Sequence, residues 1–288
     1  MTTANLSRRS FVLASLSAAL SATALAGCGG TPTAADDSSA ADDTADAGTG
    51  AVDTGTLIVG FDSSYPPYGY VGDDGEYTGF DLELAQEVAS RNDWDVQLEP
   101  IDWDAKDTLL DSGAINCIWN GFTVEGREDD YTFSEPYMLN AQVVVVKADS
   151  GISSFEDLAG KAVITQVDSA ALDVLEGDQA DLAATFASLE TIGDYNTAFM
   201  QLESGAVDAV ACDLSIAAYQ LAAKPDAYTQ LDEFLSEEHY AVGFKKGDDA
   251  TATTVTDTLR AMDEDGFVQQ LCEKYADQGI SYENWCLE

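Results

Sequence analysis

From Thr56 to the C-terminus, short apolar runs alternate with stretches whose apolar residues recur at helical spacing, with little chain between them. Leu57-Ile58-Val59-Gly60-Phe61 has the length and texture of a buried strand. Phe80, Leu84 and Val88 recur every four residues, with Ala85 and Ala89 beside them, and give one apolar face of a helix. Residues 96–101 alternate as a strand does, a short helix is predicted over 103–110, and residues 115–119 read as the next strand. The second half repeats the alternation. Val163-Ile164 reads as a strand, and a helix rich in Ala and Leu follows Ser169. Tyr195, Ala198, Phe199 and Leu202 form a helical stripe stopped by Gly205. A strand over 207–212 and a helix over 214–223 follow, the latter ending before Pro225. Residues 241–244 add a strand, and two helices close the chain, the last with Phe267, Leu271 and Tyr275 on one face. Such β–α alternation with short connections predicts an α/β fold with mostly parallel sheets.

In such sheets, ligands sit beyond the carboxyl ends of the strands. That rule selects Asp62-Ser63-Ser64-Tyr65, Asn120-Gly121-Phe122-Thr123, Gln166-Val167-Asp168-Ser169 and Asp213. These residues are small, polar or aromatic and suit a small zwitterion, and the glycine positions match neither a P-loop nor a dinucleotide fingerprint. Charge narrows the class further. With 12 Lys+Arg against 53 Asp+Glu, a formal charge of −41, the chain is not built to hold nucleic acid or anionic lipid. Against that deficit, the Arg127 of GFTVEGRE is conspicuous: it is either a surface cation paired with Glu125, Glu128 or Asp129, or a group reserved for a ligand. His239 is the only histidine, no His or Cys spacing suggests a metal, and no cofactor is expected.

The first 27 residues read as a targeting segment, with Ser7-Arg8-Arg9-Ser10-Phe11 followed by the apolar run FVLASLSAALSATALA. The arginine pair fits a twin-arginine export signal and an ordinary basic start equally well. Leu25-Ala26-Gly27-Cys28 resembles the lipobox of bacterial lipoproteins, in which the cysteine is lipidated and becomes the mature N-terminus. Residues 28–55 are, after Cys28, Gly, Ala, Ser, Thr and Asp with one Pro and with Val52 the only large apolar side chain, so they read as a disordered acidic tether. Of the other four cysteines, Cys117 and Cys212 sit in apolar strand-like runs and are expected as buried thiols, whereas Cys272 and Cys286 are expected to form a disulfide securing the last helix.

Three stretches carry a resemblance. VGFDSSYPPYGYVGDDGEYTGFDLELAQEVA, CIWNGFTVEGREDDYTFSEPYM and SGAVDAVACDLSIAAY follow one another in the order found in the extracellular polar amino-acid-binding proteins of ABC importers, the type-3 solute-binding family. The chain resembles that family from about Thr56 to Tyr275, with one residue fewer than usual between Thr123 and Arg127. The resemblance implies a two-lobed periplasmic-binding-protein-like fold with two crossover strands at the hinge. Residues 56–140 and 240–288 would form one lobe and 141–239 the other. It also implies roles: Asp62 toward the ligand side chain, Tyr65 stacking on it, and Trp103 walling the cleft. Asn120, Gly121 and Thr123 would supply backbone and hydroxyl contacts, Arg127 the grip on the α-carboxylate, Ser169 assistance from the second lobe, and Asp213 the partner of the α-ammonium. The implied protein is a monomer at the outer face of the cytoplasmic membrane, held only by its lipid, which passes a free polar amino acid to an ABC permease. A lyase or dehydratase on the same scaffold is the competing class, but the sequence offers no catalytic motif beyond scattered carboxylates.

Two acyl chains anchor a protein stably where one does not. Cys28→Ser is therefore expected to release the protein into the medium or leave it unprocessed, as read by fractionation and intact mass. A variant that matures normally and stays on the membrane would refute the lipobox.

Overall fold

The computed structural model describes residues 55–287. The leader, Cys28 and the tether up to residue 54 lie outside the described residues.

In chain order the elements are β1 Thr56–Phe61, β2 Ser64–Tyr65, β3 Gly69–Val71, β4 Tyr77–Thr78, α1 Phe80–Arg91, β5 Asp95–Pro100, a 3-10 turn Trp103–Ala105, α2 Lys106–Ser112, β6 Cys117–Thr123, β7 Tyr131–Phe133 and β8 Met138–Lys147. After a 3-10 turn Phe155–Leu158 come β9 Ala162–Gln166, α3 Ala170–Glu176, α4 Ala180–Ala183, β10 Ser188–Ile192, α5 Tyr195–Ser204, β11 Ala209–Asp213, α6 Leu214–Ala223, β12 Tyr228–Lys245, α7 Asp249–Glu264 and α8 Phe267–Tyr275. One sheet runs β10-β9-β11-β8-β12-β6-β1-β5, with β7 also on β12, while β2, β3 and β4 form a small sheet of their own.

The sheet is parallel in its flanks and antiparallel in its centre. β1 lies parallel to β5 and β6, and β9 lies parallel to β10 and β11. β8 and β12 run antiparallel to each other and to their outer neighbours, so two long strands join the flanks. This is the α/β architecture with two crossover strands expected from the sequence. β8 explains its own composition. Val143 and Val145 pack into one core cluster while Val144 and Val146 pack into another, and a strand buried on both faces reads as a continuous apolar run.

Several boundaries differ from expectation. β6 begins later and runs on through Thr123, because Phe122 and Thr123 pair with Ala241 and Tyr240 of a strand far along the chain. Asn116 lies just before it, with its side chain accepting from Ile58 N at 2.7 Å and donating to Thr56 O at 2.9 Å. β12 spans Tyr228–Lys245 rather than residues 241–244, since its polar first half is aligned by β8 rather than by any apolar pattern. β10 is an edge strand of half-exposed and exposed residues that local patterning does not mark. The inward face of α8 is Val268, Leu271, Cys272 and Tyr275, with Phe267 at its margin beneath the Arg91 guanidinium.

The expected Cys272–Cys286 bridge is corrected: both are free thiols, as are the buried Cys117 and Cys212. The tail is held by other means. Cys286 N donates to Tyr137 O at 3.0 Å, Trp285 forms a β-bridge with Met138, and the Trp285 ring lies 5.7 Å from that of Tyr137. Cys272 meanwhile faces the core from α8.

One buried acid ties α1 to the strands behind the site. Asp81 is fully buried, accepts Gly121 N at 2.6 Å, and receives Tyr137 OH on both oxygens at 2.8 Å. Burial pushes its carboxyl up from 3.8 to about 7, against the opposing effect of those donors. Above about pH 4 the unfolded chain gives this proton up while the folded chain keeps it until about 7, so the contribution to stability falls as pH rises through that window. Asp81→Asn removes the titration. Between pH 5 and pH 7.5 its melting temperature should fall less than the wild type's, by several degrees at roughly 2–4 °C per kcal/mol. Equal declines in both proteins would show that the buried charge is not at Asp81.

Candidate functional site

The strand ends from the two flanks meet around a cavity lined by Tyr65, Trp103, Asn120, Gly121, Thr123, Arg127, Gln166, Ser169, Ala170 and Asp213. Eight of the nine residues singled out from the sequence line it. The ninth, Asp62, stands beside it in a second recess lined also by Asp102, Trp103, Asp104 and Asp194. Gln166 joins the two, lining the cavity and donating to Asp62 Oδ2 at 2.7 Å. Burial raises the Asp62 carboxyl, opposed by donors from Ser64 N and Gln166 and reinforced by the charges of Asp194 and Asp102.

The short Thr-to-Arg spacing is absorbed by a tight turn. Arg127 N donates to Val124 O at 3.0 Å, with Gly126 at φ 81 in its third position, a conformation that favours glycine. The turn carries the guanidinium inward over the Phe122 ring at 5.3 Å, leaving Arg127 only 9% exposed. Its fork is met from across the cavity by Asp173 Oδ2 at 2.8 Å and Asp168 O at 3.4 Å, with Thr123 O at 3.5 Å on its own side. The surface pairing with Glu125, Glu128 or Asp129 is not formed; Glu125 instead pairs with His239.

A second buried cation acts beside it. Lys106 Nζ reaches Asp168 Oδ2 at 3.0 Å and lies 5.3 Å from the centre of the Trp103 ring. Trp103 itself donates through Nε1 to Asp168 O at 3.1 Å. Asp168 thus receives three groups from the opposite flank, and it holds a left-handed φ of 56 to do so.

Tyr65 is buried, with its ring 6.0 Å from Tyr195 and its hydroxyl 3.3 Å from that of Tyr240. Gly121 sits between these rings at φ 57; a Cβ there would come 2.9 Å from the Tyr240 ring and 3.2 Å from Tyr65, so only glycine fits. Asn120 fixes the loop after β1, its Oδ1 accepting Asp62 N at 2.9 Å. Ser169 caps α3, its Oγ accepting Leu172 N at 3.2 Å.

Asp213 closes the far end. Its Oδ1 accepts Gln142 Nε2 and Tyr240 OH at 2.8 Å each and Asn140 Nδ2 at 3.1 Å. Asn140 and Gln142 were not expected at the site, although two polar residues one apart in an otherwise apolar strand mark one special face. Lys106, Asp173 and Tyr240 had no such local sign. The arrangement offers a planar cation at one end, a carboxylate at the other, and aromatic walls between. It can hold a molecule carrying both charges.

The family model described as bacterial extracellular solute-binding proteins, family 3, matches residues 57–278. The L-cystine-binding protein TcyJ of Escherichia coli strain K12 is 32% identical over 225 residues, covering 77% of this chain and 82% of that protein. A histidine-bound substrate-binding protein of an ABC uptake transporter from Streptococcus pneumoniae superposes with a TM-score of 0.75 at 31% identity, covering 79% of this chain and 94% of the other. An ancestral arginine-binding protein bound to arginine gives a TM-score of 0.70 at 32% identity, covering 77% and 98%. The family is made up of solute-binding proteins rather than enzymes, and the relatives are named for binding, so a dehydratase reading finds no favour. The chain belongs to the family-3 bacterial extracellular solute-binding proteins.

Proposed function

We propose that this protein captures a free polar amino acid outside the cytoplasmic membrane and delivers it to the permease of an ABC importer, anchored by lipid on Cys28 and acting as a monomer. The observation that carries the proposal is the placement of Arg127 and Asp213 on one cavity, reached from opposite flanks of the sheet. In this reading residues 56–140 and 240–288 form one lobe and 141–239 the other. Arg127 holds the α-carboxylate as a bidentate fork, and Asp213 takes the α-ammonium. Tyr65 and Trp103 cover the side chain, Asn120, Gly121, Thr123 and Ser169 complete the polar contacts, and Asp62 faces the tail. A zwitterion spanning both charges favours the closed arrangement, because only there are both satisfied together.

The acidic recess around Asp62 favours a tail that is cationic or donates hydrogen bonds. Cystine, histidine and arginine, named for the relatives, are candidates here, with glutamine beside them. A thermal-shift screen of the twenty amino acids with cystine and ornithine should raise the melting temperature for this group and leave it unmoved for aspartate and glutamate. At about a hundred times Kd the stabilisation is roughly 2.7 kcal/mol, which such a screen resolves. A shift with aspartate alone would overturn the assignment of the recess.

Each charged contact is worth roughly 1.5–3 kcal/mol, and its removal leaves a desolvated partner unpaired. Starting from micromolar binding, about −8 kcal/mol, Arg127→Lys and Asp213→Asn should each weaken affinity to near-millimolar or beyond. Lysine should fail nearly as badly as alanine, since the planar fork is lost. Calorimetric titration with the screened ligand decides it: unchanged affinity in either variant removes that residue from the ligand.

A further inference from the structure

Asp213 is not the only carboxylate at its end of the cavity. Glu238 of β12 is 2% exposed, and its Oε1 accepts Asn140 Nδ2 at 2.7 Å, Gln142 Nε2 at 2.8 Å and Thr123 Oγ1 at 3.0 Å. Asn140 and Gln142 donate to Asp213 as well. Two acceptors sharing one amide nitrogen lie within roughly 6 Å of each other, where like charges oppose each other's ionisation.

The groups facing Glu238 offer no countercharge. β8 supplies only the neutral amides of Asn140 and Gln142, β6 the hydroxyl of Thr123, and β11 the negative Asp213. On β12 itself the Tyr240 hydroxyl donates to Asp213, and His239 pairs with Glu125 on the exposed side. Arg127 is engaged by Asp173. Gln142 Oε1, in the middle of the cluster, is buried without a hydrogen-bond partner. The cluster has more acceptors than donors, and what it is short of is a proton or a cation.

We propose that Glu238 is a positioning residue of the ammonium site, holding a proton that it releases to solvent when an ammonium group docks against Asp213. This rests on the reading of Asp213 as the partner of the α-ammonium. Burial first, and the charge of Asp213 second, push the Glu238 carboxyl up from 4.5 to about 8, so at neutral pH it holds its proton. A cation arriving against Asp213 offsets that repulsion and draws Glu238 into its ionised form, for which three donors are already aimed at one oxygen. The ammonium keeps its own protons; the one released comes from Glu238. Linkage then makes binding tighter as pH rises toward about 8, by up to about tenfold per unit between the bound and free pKa values.

The test is calorimetric titration of the full protein with L-arginine, L-histidine, L-glutamine and L-cystine, at pH 7 in phosphate and in Tris, and from pH 5.5 to 7.5 in one buffer. The wild type should release close to one proton with whichever of these binds, and its affinity should rise across the range. Glu238→Gln should release none and give a flat profile, whereas Glu238→Asp should restore part of the slope. Release that persists in Glu238→Gln would assign the proton to another acid such as Asp62 and overturn the proposal. If Glu238→Gln does not fold, Glu238→Asp takes its place: a pH profile there unchanged from the wild type's, or equal wild-type heats in the two buffers after dilution correction, refutes the inference. Asp213→Asn separates the two levels. Lost binding there, with no proton released by the wild type, keeps the ammonium reading and rejects Glu238; retained binding rejects the reading itself. If none of the four amino acids binds, both fall.

Discussion

The antiparallel pairing of β8 with β12 is the constraint on which the rest depends. Within the sheet, the two flanks are joined through these two strands, in the order β11-β8-β12-β6. The same pairing sets the chemistry of the site, because Glu238 lies directly opposite Asn140 and Ser236 opposite Gln142. Strand side chains alternate with a period of two, so a one-residue slip would turn Asn140 and Gln142 away from the carboxylates they hold. The irregularities between Gln230 and Phe234, and between Phe234 and Ser236, fall just before this stretch. There the strand changes twist before presenting Glu238 and Tyr240 inward.

What could be read beforehand followed local pattern. β1, α1 and α5 announce themselves through apolar spacing, and the Gly205 stop of α5 is a left-handed cap at φ 77 as such a glycine should be. Cavity residues at strand ends were also legible, since position after a strand is a local property. The polar half of β12 was not. Residues 228–239 carry no apolar alternation, and their strand form is imposed by β8, roughly ninety positions earlier in the chain. Glu238 therefore reads as one more acid in a chain full of them. The cysteine pair misled for a related reason: closeness in sequence does not show that the tail is pinned through Trp285 and Tyr137 while Cys272 faces the core.

With so few cations, the protein buries acids on hydroxyls and amides. Asp81 is held by Tyr137 and Gly121 N, and Asp213 by Tyr240, Asn140 and Gln142. The two buried cations among the described residues, Lys106 and Arg127, are spent across the cavity on Asp168 and Asp173. Asp173 is 61% exposed at its side chain, so its hold on the Arg127 fork is the kind of contact another carboxylate can replace without stranding a buried charge.

The recess formed by Asp62, Asp102, Asp104 and Asp194 opens beside the cavity in a chain of formal charge −41. Charges of one sign around a low-dielectric cleft concentrate field at its mouth. An approaching solute meets that field before it meets any binding group. Selection of this kind acts on the rate of encounter rather than on the fit, and it fades as salt shortens the reach of the field to roughly 8–10 Å. On the proposed function, a cationic amino acid would be drawn in and an anionic one turned back at a distance, sorted by charge before shape is consulted.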